Sequence, residues 1–508
     1  MMLAEGAESM EQLSYGALQR AGYDGYVLEN APVKALQFGT GNFLRAFADY
    51  WLDVANERGT WGGKVALIQS TASGTKQALN AQQGLYTALL RGSRSGAPVV
   101  TRRLVSCIHV AYAYADAADR AALVEIAQSP QLELILSNTT EAGIAYDEAA
   151  RLDGIPGGFP AKLAQLLYAR WRAGQPGVVV LACELIDDNG ATLKRIVERH
   201  ARDWGLEAEF LRWLDTENAF PNTLVDRIVP GAVRVPEARA ALEAELGYAD
   251  ALLDVGEDYG CWIIEGDAAL AERLPFGRAG IGEVQIVPDV APYKQRKVRI
   301  LNGAHTGFVP GAVLAGQAIV RDSLAVPAIR DYLERMLQDE VIPTIPMPEA
   351  ELKAFSDAVM DRFVNPFIDH RLMSIALNST SKWRTRNLPS LLDFVRLRGE
   401  LPRCLTMSLS FLLAFYTCDV QALDASGLHC LRPDGQPYVI SDEPRALERF
   451  WKHRADAPEE LTCAVLADEK LWGMDLNGVP GLTRAVADGV ALIRGEGALR
   501  AFEAAAKG

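Results

Sequence analysis

The sequence predicts an α/β N-terminal domain with a Rossmann-like, doubly wound sheet, followed by a mostly α-helical C-terminal domain. Through the first half of the chain, short apolar segments alternate with segments of helical periodicity, a pattern typical of parallel sheets covered by helices. A glycine-containing turn directly follows the first apolar segment. Beyond residue 290 the helical pattern continues almost without interruption. We therefore predict a Rossmann-like domain in residues 1–289, including an N-terminal extension, and a helical domain in residues 290–508.

The overall composition limits the classes of partner. The chain has 508 residues, of which 49% are hydrophobic and 23% are charged, so it is long enough for two or more globular domains. Its net charge of −14 argues against nucleic acid, because phosphate binding requires a basic surface. The N-terminus lacks a signal-peptide pattern, and the most apolar stretch, residues 407–417, is too short to span a membrane. The seven cysteines include no C-x-x-C pair, so we expect reduced thiols in a cytoplasmic protein with no membrane partner.

The first α/β unit carries a candidate dinucleotide-binding turn. Val33–Phe38 is a predicted buried strand that runs into a G-x-G pair, and a helical pattern follows through residues 44–54. Glycines at this point let the backbone approach a pyrophosphate, and the N-terminus of the next helix favours its negative charge. Leu44 replaces the third glycine of the pattern G-x-G-x-x-G, so the pattern alone is weak evidence. The candidate cofactor residues here are Gly39, Gly41, Asn42, Phe43 and Arg45.

Later strand ends supply further candidates for cofactor binding. The predicted second strand, residues 65–70, carries Gln69 where NAD sites often have an acidic residue for the ribose hydroxyls, so NAD and NADP both stay open here. Polar residues also follow the predicted strands at 132–136 and 178–183, and another polar cluster occupies 222–228. Open α/β sheets bind ligands at the carboxyl ends of their strands. The candidates at these places are Asn138, Thr140 and Asp226.

Helical periodicity separates these strands and dominates the second half of the chain. Apolar residues recur at intervals of three and four along each segment. In the N-terminal domain the predicted helices span residues 120–128, 161–171, 192–203 and 238–246. In the C-terminal domain they span residues 324–337, 349–362, 366–377, 388–398, 401–417, 443–452, 459–467 and 481–492.

The stretch of residues 293–310 concentrates the candidate catalytic side chains. It places Lys297, Asn302 and His305 in an otherwise apolar run. In an α-helix, at about 100° per residue, all three fall within an arc of roughly 140°. An amine, an amide and an imidazole on one face suit proton transfer at an alcohol or a ketone. Pro310 is expected to kink or end this helix.

The catalytic interpretation of this stretch requires a perturbed lysine. A lysine becomes an acid or base near neutral pH only when burial or nearby cations lower its pKa. The apolar run supplies burial, and Lys294, Arg296 and Arg299 supply charge. A solvated lysine, an Asn-Gly turn and a structural histidine form the alternative, which the spacing alone favours.

A second basic segment lies further along the chain. Phe363-Val-Asn-Pro366 precedes a predicted helix, and five basic residues follow: His370, Arg371, Lys382, Arg384 and Arg386. Such a cluster can bind a carboxylate, although composition alone favours a solvated basic face. The only adjacent pair of metal-ligand type is His429-Cys430, and one pair does not make a metal site. We expect no metal.

These segments together resemble the polyol-specific long-chain dehydrogenase family, typified by mannitol dehydrogenase. The family has a lysine, an asparagine five residues later and a histidine three residues after that, which Lys297, Asn302 and His305 match. Its G-x-G-x-F-x-R-A turn matches residues 39–46. Val-Asp-Arg-Ile at 225–228 and Arg-Phe-x-Asn-Pro at 362–366 also match, in the family's order.

The resemblance implies metal-independent hydride transfer between NAD and a ketone or secondary alcohol. It implies that Lys297 is the acid or base, that Asn302 donates a hydrogen bond to the reacting oxygen, and that His305 orients the substrate or the lysine. It makes Lys382 and Arg384 candidates for binding a substrate carboxylate. Members of this family are often monomers, so we expect a monomer or a small homo-oligomer.

Two departures from the mannitol-type pattern indicate a different substrate. Leu185 stands where those members have an asparagine, and Ser374 stands where they have an arginine. These departures put mannitol and fructose in doubt as substrates, and the resemblance implies a small hexuronate or hexonate instead. The alternatives are a reductase for a stereoisomeric hexuronate, a mannitol-type polyol dehydrogenase and a non-catalytic nucleotide-binding sensor.

Overall fold

The computed structural model describes residues 10–69 and 74–507. The chain divides into two compact units. One contains the described residues up to Arg91 together with Val99–Val290, and the other contains Gly92–Pro98 and the described residues from Ala291 onward. Within the described ranges, no helix is long and apolar enough to cross a membrane.

The first unit is built around a parallel β-sheet, which confirms the predicted Rossmann-like class. The strands before residue 290 are β1 (Val33–Phe38), β2 (Lys64–Gln69), β3 (Tyr86–Arg94), β4 (Ala97–Val105), β5 (Ile108–Ala113), β6 (Leu134–Ser137), β7 (Val179–Ala182), β8 (Thr223–Asp226), β9 (Asp254–Glu257), β10 (Cys261–Glu265) and β11 (Val284–Val287). Five of them form the parallel sheet, in the order β5-β2-β1-β6-β7. The others form two three-stranded sheets, β4-β3-β9 and β11-β10-β8.

The sheet is covered on both faces, and its side chains alternate between two cores. On β1, Ala35 faces one apolar cluster, while Leu36 and Phe38 face the other. This period of two is the geometry of a strand, and burial on both sides is typical of parallel sheets. The helices before residue 290 are α1 (Tyr15–Arg20), α2 (Asn42–Arg45), α3 (Ala48–Glu57), α4 (Lys76–Ala81), α5 (Ala117–Ala127), α6 (Phe159–Arg172), α7 (Asn189–Asp203), α8 (Ala208–Thr216), α9 (Pro236–Leu246), α10 (Ala268–Arg273) and α11 (Pro275–Arg278).

The prediction of one helix after the glycine turn is wrong. The segment is broken between α2 and α3, because Phe47 has a non-helical backbone with φ −126° and ψ −88°. The Phe47 ring packs against Trp51 at 4.4 Å and Trp262 at 5.3 Å between centroids. The spacing of the apolar residues 44–54 therefore predicted the buried face of this segment correctly but not the break between α2 and α3.

One edge of the sheet has the topology at which open α/β sheets bind ligands. Strands β2 and β5 lie on one side of β1, while β6 and β7 lie on the other. Phe38 at the end of β1 pairs in register with Ser137 at the end of β6. The chain therefore leaves both strands side by side at the switch point, where open α/β sheets bind their ligands.

The second unit is mostly helical, as predicted. Its α-helices are α12 (Ala291–Arg296), α13 (Gly303–Leu314), α14 (Val320–Leu324), α15 (Pro327–Arg335), α16 (Glu349–Phe363), α17 (Leu372–Ile375), α18 (Ser379–Arg386), α19 (Leu388–Arg398), α20 (Arg403–Thr417), α21 (Pro444–His453), α22 (Pro458–Leu466), α23 (Glu469–Trp472), α24 (Leu482–Glu496) and α25 (Ala498–Ala506). The apolar α20 is buried along most of its length and packs against its neighbours, with Phe411 and Phe502 at 4.2 Å. The unit also contains an antiparallel sheet that we did not predict, formed by β12 (Val420–Asp424), β13 (Gly427–Leu431) and β14 (Pro437–Ile440).

The structure tests two expectations about prolines in this unit. The predicted helix at 366–377 is reduced to α17, because Pro366 follows Asn365, whose side chain accepts a hydrogen bond from the Phe367 backbone at 3.0 Å and forms a turn. Of the two outcomes expected for Pro310, a kink or an end of the helix, the end is excluded, because Pro310 lies inside α13.

Candidate active site

The candidate catalytic residues Lys297 and Asn302 lie on a π-helical turn rather than on the α-helix that we predicted. Residues Lys297–Asn302 form this turn, between α12 and α13. Its hydrogen bonds join residues five apart, so Lys297 and Asn302 come close to the same side of the axis instead of lying about 140° apart as in an α-helix. Such turns are frequent at functional sites. The local geometry therefore brings the amine and the amide closer than the sequence spacing indicated.

Two arginines that we expected to act on the lysine are engaged elsewhere. Arg299 forms an ion pair with Asp393 at 2.7 Å and donates to the Thr344 carbonyl at 3.2 Å. The Arg296 guanidinium lies 4.5 Å from the Phe355 ring centroid. Both side chains are buried. They fix the turn in the unit, and the charge of Arg299 is balanced by a carboxylate.

The C-terminal end of the turn is held by a small hydrogen-bond network. The backbone carbonyl of Asn302 accepts from the Thr306 hydroxyl at 3.0 Å and from Arg386 Nη1 at 3.5 Å. The same Nη1 donates to Thr306 Oγ1 at 3.1 Å. Among the described residues, the Asn302 side-chain amide makes no hydrogen bond. That amide is therefore available to a ligand oxygen, while its backbone is fixed.

His305 is buried, with only 9% of its surface exposed. Its ring packs at 4.2 Å from the Phe363 ring and at 5.1 Å from His370. Nδ1 is buried and has no hydrogen-bond partner. Burial, followed by the positive charge of His370, Arg362, Arg386 and Lys382, holds the pKa of His305 well below its usual value of 6.5. The imidazole is therefore neutral at neutral pH.

Helix α18 presents two of its cations to this site and a third elsewhere. Lys382 and Arg386 are four residues apart and share one face. The positive charges of both lower the pKa of His305. Lys382 Nζ donates to the Ile375 carbonyl at 2.9 Å. Burial, followed by the charge of Arg386, lowers the pKa of Lys382. Arg384 instead points towards the Lys470 carbonyl, 3.4 Å away.

The structure therefore places Lys382 near His305, one of the candidate catalytic residues, and directs Arg384 elsewhere. It adds Arg386, which we had placed in the basic segment but had not selected. Its four-residue spacing from Lys382 places both cations on one face of a helix, but the spacing does not tell which face meets the site.

The glycine turn has the form that close approach of a dinucleotide requires. Gly39 has φ +122°, and a Cβ there would lie 3.1 Å from the Asn138 carbonyl oxygen. Gly41 caps the N-terminus of α2, and a Cβ on it would have no heavy atom within 4 Å. The surface beside Gly41 is therefore open, and the residues present fit a bound pyrophosphate.

The predicted cofactor contact of Arg45 needs correction, because this side chain is buried inside the first unit. It donates to the Leu252 carbonyl at 2.7 Å and lies 3.7 Å from the Asp254 carboxylate. Arg45 also donates to the Asn42 side-chain oxygen. It supports the turn from within instead of facing a ligand. Phe43 is half-buried and stacks on Phe47, with 4.8 Å between ring centroids.

The loop after β6 is held by one buried acid. Glu184 accepts from Ser137 Oγ at 3.0 Å and from the Thr139 backbone N–H at 2.9 Å, and burial raises its pKa. Asn138 donates to the Cys183 carbonyl at 2.9 Å. Thr140 is exposed, with φ +92°. A non-glycine residue in this region is strained, and such residues cluster at ligand sites.

Asp226 lies outside the parallel sheet, whereas Gln69 lies at this edge, at the end of β2 and directly after Ile68, which pairs with Phe38. Asp226 is buried at the end of β8, in the sheet with β10 and β11 rather than in the parallel sheet. Gln69 accepts from the Lys76 backbone N–H at 3.1 Å. Residue 70, the end of the predicted second strand, lies outside the described residues.

Comparisons with known proteins identify the family. A model of the mannitol dehydrogenase Rossmann domain matches residues 33–277, and a model of the mannitol dehydrogenase C-terminal domain matches residues 289–493. The chain belongs to the mannitol dehydrogenase family. Two curated relatives named altronate oxidoreductase, from Yersinia enterocolitica and Bacillus subtilis, are 41% and 40% identical to it. The first alignment covers 90% of this chain and 93% of the relative, and the second covers 95% and 96%.

Two solved structures show the fold of the mannitol dehydrogenase family over nearly the whole chain. D-sorbitol dehydrogenase in substrate-free form has a TM-score of 0.76 at 22% identity, covering 94% of this chain and 96% of that one. Mannitol 2-dehydrogenase from Pseudomonas fluorescens, in a ternary complex with NAD and D-mannitol, has a TM-score of 0.66 at 22% identity, covering 97% and 99%. The resemblance seen in the sequence is thereby confirmed.

Acidic, histidine and cysteine side chains do not gather into a metal site in the part of the chain that the structure describes. No group of three or more such residues there could hold a metal ion. The His429 imidazole lies 3.0 Å from Asp424 and 2.9 Å from Ser426 Oγ, in an exposed turn of the antiparallel sheet.

Proposed function

We propose that this protein reduces D-tagaturonate to D-altronate with NADH and catalyses the reverse oxidation, as a step of hexuronate catabolism. The observation that carries the proposal is the 40–41% identity to altronate oxidoreductases over at least 90% of the chain. The departures from the mannitol-type pattern support it. Leu185 is 62% exposed, and the Ser374 hydroxyl donates to the Arg371 carbonyl at 2.7 Å. Neither position offers the amide or guanidinium that mannitol-type members have there.

NAD is the proposed cofactor, and when bound it supplies the hydride acceptor or donor. Gly39 and Gly41 would hold its pyrophosphate, with Asn42, Asn138 and Thr140 beside them. The open surface at Gly41 and the positive φ of Gly39 support this assignment. Gln69 does not exclude NADP, so NADPH belongs in every assay.

Lys297 is the proposed acid in the reduction. As the ketone carbon becomes the alcohol carbon, the Lys297 ammonium transfers a proton to the oxygen, and ketone, NADH and a proton become alcohol and NAD⁺. The Asn302 amide donates a hydrogen bond to the same oxygen, a contribution typically of about 3 kcal/mol. The neutral His305 orients the substrate or the lysine. In the oxidation, Lys297 removes the alcohol proton.

We also infer that the protein is cytoplasmic and is a monomer or a small homo-oligomer. Light scattering after size exclusion would test the oligomeric state.

The test of the activity is the initial rate of NADH oxidation with D-tagaturonate, D-fructuronate and D-fructose in parallel. The proposal predicts a rate with D-tagaturonate at least about tenfold above the others, equivalent to about 1.4 kcal/mol. A preference for D-fructuronate would overturn the substrate, and inactivity with all three and both cofactors would support a nucleotide-binding sensor.

A further inference from the structure

We infer that Arg386, together with Lys382, binds the carboxylate of the sugar-acid substrate, and that Arg386 makes the enzyme selective for acids over neutral ketoses. The inference rests on the proposed function, because it assigns a part of the same substrate to particular side chains. It replaces Arg384, the candidate that the sequence suggested.

The direction of the side chains on α18 is the first observation. Lys382 and Arg386 lie one turn apart on the same face. Arg386 Nη1 reaches the hydroxyl of Thr306, the neighbour of His305, at 3.1 Å, and both positive charges lower the pKa of His305. Arg384 lies on another face, with its guanidinium 3.4 Å from the Lys470 carbonyl. Of these three cations, only Lys382 and Arg386 therefore face helix α13, which carries His305.

The second observation is that these two cations lack a counter-ion. Neither Lys382 nor Arg386 forms an ion pair with any described residue, although both are partly buried. The acid whose charge acts on Lys382 is Asp442, whose carboxylate accepts from the Thr380 backbone N–H at 3.0 Å and from the Tyr416 hydroxyl. Partly buried charges are costly without a partner. An anionic group on the ligand would provide one.

The third observation concerns the Arg386 guanidinium itself. Its Nη1 is used by the protein, on the Asn302 carbonyl and the Thr306 hydroxyl. Nε and Nη2 make no hydrogen bond to described residues and are not fully buried. A guanidinium donates in a planar fork that matches the two oxygens of a carboxylate. The free edge of Arg386 is therefore suited to this group, with Lys382 as the neighbouring point charge.

The contact between Arg386 and the Asn302 carbonyl explains how the carboxylate of the substrate can affect the reaction at its ketone carbon. Arg386 touches the carbonyl of Asn302, whose side chain donates to the reacting oxygen in the proposed mechanism. Binding of a carboxylate would fix the guanidinium, and with it the end of the π-helical turn. Neutral ketoses cannot provide this contact.

The experiment compares Arg386→Gln with Arg384→Gln, a matched loss of charge on the same helix. Steady-state kinetics are measured with D-tagaturonate and with D-tagatose, the ketose that carries a hydroxymethyl group in place of the carboxylate. Arg386→Gln should raise KM for D-tagaturonate at least about tenfold, since a charge-assisted hydrogen bond is lost. The loss of kcat/KM should be at least about tenfold smaller for D-tagatose than for D-tagaturonate, because only the acid uses the charge-assisted contact, whereas any disturbance of the turn affects both ketoses alike. Arg384→Gln should change neither parameter by more than about twofold.

A third variant, Arg386→Lys, keeps the positive charge but loses the planar pair of N–H donors. Its KM for D-tagaturonate should lie between those of the wild type and Arg386→Gln. An equal loss with both ketoses would show that Arg386 only positions the turn and would overturn the inference, as would an unchanged KM. Calorimetric binding of D-altronate to the wild type and the variants gives a readout that does not depend on turnover. If the wild type does not turn over D-tagaturonate, the proposed function fails. The carboxylate site would still stand if D-altronate bound the wild type at least about tenfold more tightly than Arg386→Gln.

Discussion

The two glycines of the cofactor turn should respond in opposite ways to the same added methyl group. At Gly39 the backbone has φ +122°, and a Cβ would lie 3.1 Å from the Asn138 carbonyl oxygen. At Gly41 the backbone is extended, with φ −73° and ψ 166°, and a Cβ would meet no heavy atom within 4 Å. Gly39→Ala therefore tests the strain of the folded chain, whereas Gly41→Ala tests the space reserved for a ligand.

The magnitudes follow from these geometries. A non-glycine residue at such a φ costs about 1–3 kcal/mol, so Gly39→Ala should lower the free energy of unfolding by about 2 kcal/mol. In a unit of this size, that corresponds to a decrease in Tm of about 4 °C. Alanine is compatible with the backbone of Gly41 and reduces the entropy of the unfolded chain, so Gly41→Ala should be neutral or stabilising by up to about 1 kcal/mol. If a pyrophosphate approaches Gly41, the methyl group should weaken NADH binding at least about tenfold, or about 1.4 kcal/mol.

The assay combines thermal unfolding with a fluorescence titration of NADH for the wild type and both variants. We expect a lower Tm only for Gly39→Ala, and weaker NADH binding with an unchanged or higher Tm for Gly41→Ala. An unchanged NADH Kd for Gly41→Ala would refute the assignment of this turn to the cofactor. An unchanged Tm for Gly39→Ala would refute the strain argument.

Three other predictions concern the catalytic residue, a buried acid and metal dependence. Lys297→Ala should lower kcat at least about 100-fold, the usual contribution of a general acid, with little change in the NADH Kd; unchanged turnover would remove Lys297 from the mechanism. Burial raises the pKa of Asp49 from 3.8 to about 7, although Gln37 donates to it at 3.2 Å. The pKa of Asp49 is higher in the folded chain than in the unfolded chain. The contribution of this carboxyl group to the free energy of unfolding is therefore complete below pH 3.8 and is lost as the pH rises to about 7. Urea unfolding should therefore show Asp49→Asn gaining stability relative to wild type between pH 5 and 7, by at most about 1.4 kcal/mol per pH unit; a constant difference would contradict this. Prolonged incubation with EDTA should leave the rate of NADH oxidation unchanged, and a loss restored by a divalent metal would overturn the metal-free mechanism.

The features that the sequence predicted well are set by local pattern. The strand Val33–Phe38 was predicted with its observed bounds, because an apolar run ended by glycine leaves few alternatives. The glycine turn was placed correctly because it must follow that strand. The parallel sheet and the helical second unit followed from the change in periodicity.

The features that the sequence did not predict depend on tertiary contacts. A π-helical turn differs from an α-helical one only in which hydrogen bonds close, and the packing of Arg299 and Arg296 around Lys297–Asn302 has no signature in residue spacing. The choice of Arg386 over Arg384 required the rotation of α18 about its axis, which is set by neighbours distant in sequence. Arg45 resembled a surface cation at a phosphate turn, but buried partners at residues 252 and 254 hold it inside.

The most direct test of the central claim follows the hydride into the product. D-tagaturonate is incubated with the enzyme and NADH carrying deuterium at both C4 positions, and the sugar acid is isolated and examined by NMR. We expect D-altronate as the product, with one deuterium on the carbon that was the ketone carbon. A stereoisomeric hexonate, or D-altronate without deuterium at that carbon, would contradict the proposed reaction.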